Sequence, residues 1–307
     1  MQAWIRTIFI LTVGCASLGA AAAVIQNQGK LTAQLQRKAA RLAAQEDFLV
    51  ARAVCLNDTE TSQDECRAEA LDALEEEYEL IDEQFAARLD VLSLIGQGPY
   101  DPEIEPEDFS ANITSTFFPL VVGRTLVYEK VTPEGIEHVE VTTTNVTRLI
   151  DEIECREVRD TASFNGVVEE DTLDWYAQHA NGDVWYMGEL SQNFGEDGLL
   201  ESLDGSWRSD VEGAKPGVLM LAAPSPGAAH RQEYFLGEAE DMSRVIGVDR
   251  TVSVPAGVFQ HCLETEEWSP LEPGHFERKF WAPGVGLVLA VSGTSGAREE
   301  LVAIQDL

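Results

Sequence analysis

Asp171-Thr172-Leu173-Asp174-Trp175-Tyr176-Ala177-Gln178-His179-Ala180-Asn181-Gly182-Asp183-Val184-Trp185-Tyr186-Met187-Gly188-Glu189 reads as two aromatic-bearing strands around Asn181-Gly182. Both residues of that dipeptide tolerate positive φ, which suits a tight hairpin whose twist matches its strands. Trp175, Tyr176, Trp185 and Tyr186 then fall in or near paired positions across the hairpin. The stretch specifies antiparallel β structure. It carries no catalytic signature.

The same grammar extends outward from about Val121 to Ala303. Upstream, extended runs are expected at 125–131, 136–149, 153–161 and 167–178, with Asn165-Gly166 as a second hairpin signal. Downstream they are expected at 184–190, 205–208, 231–236, 245–254, 258–268, 276–281, 285–291 and 300–304. Residues 215–227, rich in Pro, Gly and apolar side chains, read as a loop over one end of the sheet. About eleven or twelve strands joined by short turns form a large antiparallel meander, which must curl or close to hide its edges. The expected fold is therefore mainly β, barrel-like or a curled half-barrel, with a β-sandwich as the alternative.

Before the β domain, assigned to 117–307, lies an acidic, Pro-rich linker at 96–116 and a helical hairpin at 24–95. Leu35, Leu42, Leu49 and Leu56 recur every seven residues on the first helix, and its alanines allow close packing. Thr61 or Ser62 caps the second helix, with Asp64 or Glu65 three residues on. The heptad stripe also suits docking of a third helix. Residues 1–23 read as a secretory signal peptide: a single positive charge, an uncharged apolar run and Ala20-Ala21-Ala22-Ala23. A lipoprotein anchored through Cys15 is the alternative, as is an uncleaved anchor, though the run is short for a span. A periplasmic or secreted bacterial protein without a transmembrane domain after cleavage follows.

The formal charge is -33, from 54 acidic and 21 basic residues. Such a surface repels nucleic acid and anionic headgroups, which excludes both as partners. Spread along the chain, it fits a high-salt habitat or a solvated surface more simply than a dedicated cation store. Of the cysteines left after cleavage, Cys55 and Cys66 lie near the tip of the helical hairpin and suit a staple. Cys155 and Cys262, each within a strand, are expected to bridge the two halves of the sheet, with two isolated thiols as the alternative.

Six segments carry a family resemblance: 117–123 (FFPLVVG), 171–178 (DTLDWYAQ), 231–235 (RQEYF), 237–242 (GEAEDM), 265–274 (TEEWSPLEPG) and 281–288 (WAPGVGLV). Together they resemble a family of uncharacterised exported bacterial β-rich proteins. The resemblance covers nearly all of the β domain and implies an exported β-rich protein with no inherited catalytic residues. In strand pattern only, the chain is similar to periplasmic carriers that hold lipid acyl chains in a half-barrel.

Three functional readings follow. The first is a non-enzymatic protein that binds a small apolar or amphipathic ligand, or serves as an envelope scaffold for another protein. Its cavity candidates are Trp175, Tyr176, Trp185, Tyr186, Tyr234, Trp268 and Trp281. The second is a calcium-binding module using Glu238, Glu240 and Asp241; without it no cofactor is expected. The third is a hydrolase with His261 or His230 as base. His261 alternates with Phe259 and Leu263, so it reads as partly buried, whereas His179 and His230 read as facing solvent.

Overall fold

The computed structural model describes residues 27–59, 62–195 and 197–306; the expected signal peptide and Cys15 lie outside them. Helices α1 (Gln28–Cys55) and α2 (Gln63–Ile95) form an antiparallel hairpin. Ser62 caps α2 by accepting the Glu65 N–H at 3.3 Å, and Gly96, at φ 98°, ends it. The Cys55–Cys66 disulfide closes the tip. No described helix is long and apolar enough to cross a membrane.

The face that α1 turns to α2 is not its leucine stripe. Ala33, Ala44 and Cys55 are the buried residues of α1, and they recur at eleven-residue spacing. Eleven residues make three turns of a nearly straight helix, whereas a seven-residue stripe drifts around it. Small alanines also let the two backbones approach. Leu35, Leu42, Leu49 and Leu56 consequently point outward, 57–66% exposed. Arg37 and Arg41 fix the pairing by sharing Asp82, at 2.7 and 2.8 Å.

Sixteen strand segments follow among the described residues. They are β1 (Phe109–Ser110), β2 (Arg124–Val131), β3 (Ile136–Ile150), β4 (Ile153–Phe164), β5 (Val167–His179) and β6 (Val184–Phe194). Short pieces come next: β7 (Leu200–Ser202), β8 (Trp207–Arg208), β9 (Lys215–Met220), β10 (Ala229–Arg231) and β11 (Glu233–Tyr234). The chain ends with β12 (Met242–Val254), β13 (Gly257–Trp268), β14 (Glu277–Ala282), β15 (Gly286–Ser292) and β16 (Arg298–Asp306). Pairing runs β10-β12-β13-β14-β15-β16-β2-β3-β4-β5-β6-β9-β11 around one sheet. This is a nearly closed half-barrel behind a two-helix hairpin, and not the alternative sandwich of two sheets.

The seam explains the closure. β10 and β11 end opposite edges of the path, yet only Gln232 separates them. One covalent stretch thus pairs with β12 on one side and β9 on the other. Gly217 permits it: a Cβ there would lie 2.4 Å from the Gln232 carbonyl carbon. β9 also corrects the loop expected at 215–227, because Pro216 faces a short partner at the seam and costs no central ladder bond.

The two Asn-Gly turns differ. Asn165 and Gly166 have φ 50° and 86° and make the expected two-residue turn between Phe164 and Val167. At the second, only Gly182 is left-handed (φ 96°), and Gln178 pairs with Val184, so the loop is longer than two residues. Asp183 holds it by accepting the Asn181 amide at 2.9 Å. A bulge between Trp175 and Tyr176 sets Tyr176 opposite Tyr186 and leaves Trp175 opposite Gly188.

The same alternation decides the cysteines. Cys155, on β4, is buried with Ile150, Ile153, Trp175 and Met187; Cys262, on β13, is buried in a separate cluster with Val252, Val288 and Leu301. Both are free, so the bridge expected between them is not formed. Their strands lie far apart around the path, with no shared pairing. Burial pushes the Cys155 thiol up to about 12, which leaves it inert as a thiolate.

Candidate functional site inside the barrel

Along β4 the sequence alternates Val158, Asp160, Ala162 on one face; along β5 it alternates Thr172, Asp174, Tyr176. Those faces line a cavity of about 200 Å³ with Phe118, Tyr128 and Trp281. The segment before β2 forms its lid: Phe118 meets Tyr176 and Trp281 edge-on, at centroid distances of 5.1 and 5.9 Å. Tyr186 stacks beneath Tyr176 at 4.8 Å, and Trp207 meets Tyr186 edge-on at 5.4 Å.

The wall is apolar, but the floor is acidic. The Tyr186 hydroxyl donates to Asp174 at 2.5 Å. Burial, with Glu189 next, lifts the Asp174 carboxyl to about 8. Burial and the neighbouring Asp174 also lift Asp160 well above the usual carboxylate range. Neither is in an ion pair among the described residues. Among the described residues two cations share the lining: Lys279 is engaged by Glu267 at 2.9 Å, and Arg124 by Asp306 at 2.7 Å. Burial alone would lower the Lys279 pKa, but Glu267 and Glu277 outweigh that and hold the ammonium charged. Trp281 is anchored by its indole N–H donating to Thr265 at 3.0 Å, and Thr265 donates to Glu267 at 2.9 Å. An apolar wall over two carboxyls that are in no ion pair suits an apolar group bearing a hydrogen-bond donor.

Of the residues expected to form a cavity, Tyr176 and Trp281 do line this one, with Tyr186 packed directly below. Trp175 and Trp185 point to the opposite face of the sheet, where Ile104 and Phe109 of the linker cover them. Tyr234 lies under the helical hairpin at a second cavity, and Trp268, beside Arg244, lines two further cavities away from the barrel interior. Asp160, Asp174, Tyr128 and Phe118 went unread as site residues. The available signal was a carboxylate in the period-two register of apolar neighbours.

The calcium reading is corrected. Glu240 is occupied by Arg88, at 2.8 Å, and by the Gly237 N–H, at 2.9 Å. Glu238 and Asp241 instead line a separate cavity with Glu267 and Lys279, and Glu240 is not part of it. No three His, Cys, Asp or Glu side chains converge as a metal site among the described residues.

The histidines are also placed otherwise. Register shifts between Gly247 and Val252 carry His261 outward, so it is 74% exposed and pairs with Asp249 at 2.5 Å. His230, expected in solvent, has both ring nitrogens buried, and burial lowers its pKa. Neither is hydrogen-bonded to a hydroxyl or thiol among the described residues, so neither has the contact of a hydrolytic base.

No protein-family model and no curated protein matches the chain. A crystal structure from Parabacteroides distasonis, of a protein described as "a putative lipoprotein", is similar to it at 12% identity and a TM-score of 0.35, over 62% of this chain and 99% of that one.

Proposed function

We propose that this is an exported bacterial binding protein that takes a short amphiphile into its half-barrel. Its occupant is an aliphatic chain or single ring bearing a protonated amine. The observation that carries the reading is the cavity of about 200 Å³ with an aromatic wall and with Asp160 and Asp174, neither in an ion pair, on its lining. An engineered apolar cavity of about 150 Å³ holds benzene, so this space takes a ligand of about that size or slightly larger. A bound ammonium would favour ionised Asp174, whose carboxyl burial otherwise lifts to about 8. Export is supported by the leader-like segment at 1–23 and by the Cys55–Cys66 disulfide, which requires an oxidising compartment to persist.

Hexylamine, hexanol and hexanoate share a chain and differ in the head. Titrated against tryptophan fluorescence, hexylamine binds tightest and hexanoate weakest. Equal binding of all three would remove the carboxylates from the account. Absence of binding by all three would remove the cavity.

A further inference from the structure

A second cavity, of about 130 Å³, lies where the helical hairpin rests on the barrel seam. Thr32 of α1, Arg88 and Leu92 of α2, Tyr100 of the linker, and Arg231 and Tyr234 of the seam line it. Arg231 is only 8% exposed. Its guanidinium lies over the Tyr234 ring at 4.5 Å and the Tyr100 ring at 5.5 Å. The two faces hold it but supply no hydrogen-bond acceptor. Its Nε and Nη1 are buried and have no partner among the described residues.

A guanidinium does not shed its proton in a protein, so these donors need an acceptor. The nearby charges show which kind. Arg88 is neutralised by Glu240, with hydrogen bonds of 2.8–3.1 Å, and among the described residues no carboxylate lines the cavity itself. One positive charge is left over, enclosed, in a chain of net charge -33. A dianion would overshoot that single charge. Leu92, Ile95 and Pro99 add carbon to the lining, which suits a carbon skeleton better than a hydrated halide.

We propose that this junction cavity binds a small carboxylate monoanion of acetate to butyrate size, its oxygens on Arg231 and its alkyl group against Leu92 and the tyrosines. Because α1, α2, the linker and the seam all border the cavity, occupancy ties the hairpin to the barrel.

The test is calorimetric titration of propionate into the full chain, at fixed sodium with fluoride as balancing anion. Thermal unfolding is followed on the same samples. Saturable one-to-one binding with a raised Tm is expected, and at least tenfold weaker binding in Arg231→Leu. Arg298→Leu, outside both cavities on the surface, keeps the wild-type response. Absence of saturable binding, or equal binding by Arg231→Leu, overturns the proposal. Should Arg231→Leu fail to fold, magnetisation transfer from the propionate methyl to the tyrosine rings decides on the wild type: contact to Tyr100 or Tyr234 supports the site, and its absence overturns it.

Discussion

Asp174, Glu189 and Glu233 are each lifted to about 8 inside the sheet, by burial first and by neighbouring carboxylates next. In the unfolded chain such groups titrate near 4. Between about pH 4 and the folded value of about 8, the native state keeps protons that the unfolded state has released. Their contribution to stability is therefore fully present below that window and is lost as pH rises through it. Asp82 and Asp171, held low by hydrogen bonds from Arg37 and Arg159, act in the opposite sense, their contribution being lost only as pH falls below the usual carboxylate range. Urea midpoints should accordingly be highest near pH 5 and decline towards pH 8, and Asp174→Asn should flatten the decline. A wild-type midpoint rising across that interval would contradict the assignment. Asp174 also marks a limit of reading. Its register with Tyr176 is plain in the sequence, but its enclosure depends on Phe118 and Trp281, brought in from both ends of the β domain.

The elements make sharper mechanical claims. Arg88 on α2 and Glu240 beside the seam are both buried, 7% and 1% exposed, and joined by three hydrogen bonds. Breaking such a pair strands a charge, at a cost of about 3–5 kcal/mol. Arg88→Met or Glu240→Leu should each lose that much in urea unfolding. The double variant should recover most of it; additive losses would show that the pair is not the unit. On α1, Leu42→Gln should shift the midpoint little, because the side chain is exposed. Ala44→Leu should cost about 1–3 kcal/mol by overpacking against α2. The reverse ranking would return the leucine stripe to the helix interface. That stripe shows why periodicity identified the helices but not their contact: a seven-residue count and an eleven-residue count coexist on α1, and only packing chooses. Hairpin chemistry was read more fully. Asn165-Gly166 forms the turn its residues demand. β9 was missed because both its partners, β6 and β11, are distant in sequence and leave no local hairpin pattern.

At the scale of the molecule, closure and charge decide the behaviour. The seam needs Gly217, where any Cβ meets the backbone at Gln232. Gly217→Ala should weaken protection of β9 and β11 amides from hydrogen exchange before it affects β3 and β4; uniform loss would deny that the seam is a separate locus. The outer face of β12, β13 and β14 carries a cross-strand network in which Glu264 and Glu266 engage Arg244, Arg250 and Arg278. These bonds occupy cations and leave most of the -33 charge repelling itself. From about 0.01 M to about 1 M salt the screening length falls from about 30 to about 3 Å. Thermal stability should rise over that range, and a fall would place the surface ion pairs above the repulsion. The central claim is that the half-barrel interior holds a ligand. Its most direct test is native mass spectrometry of the mature protein purified from its host's envelope, alongside Val158→Trp, which fills the cavity. The account predicts a co-purifying mass of one small amine on the wild type and none on the filled variant. A bare wild-type chain, or the same added mass on both proteins, would contradict it.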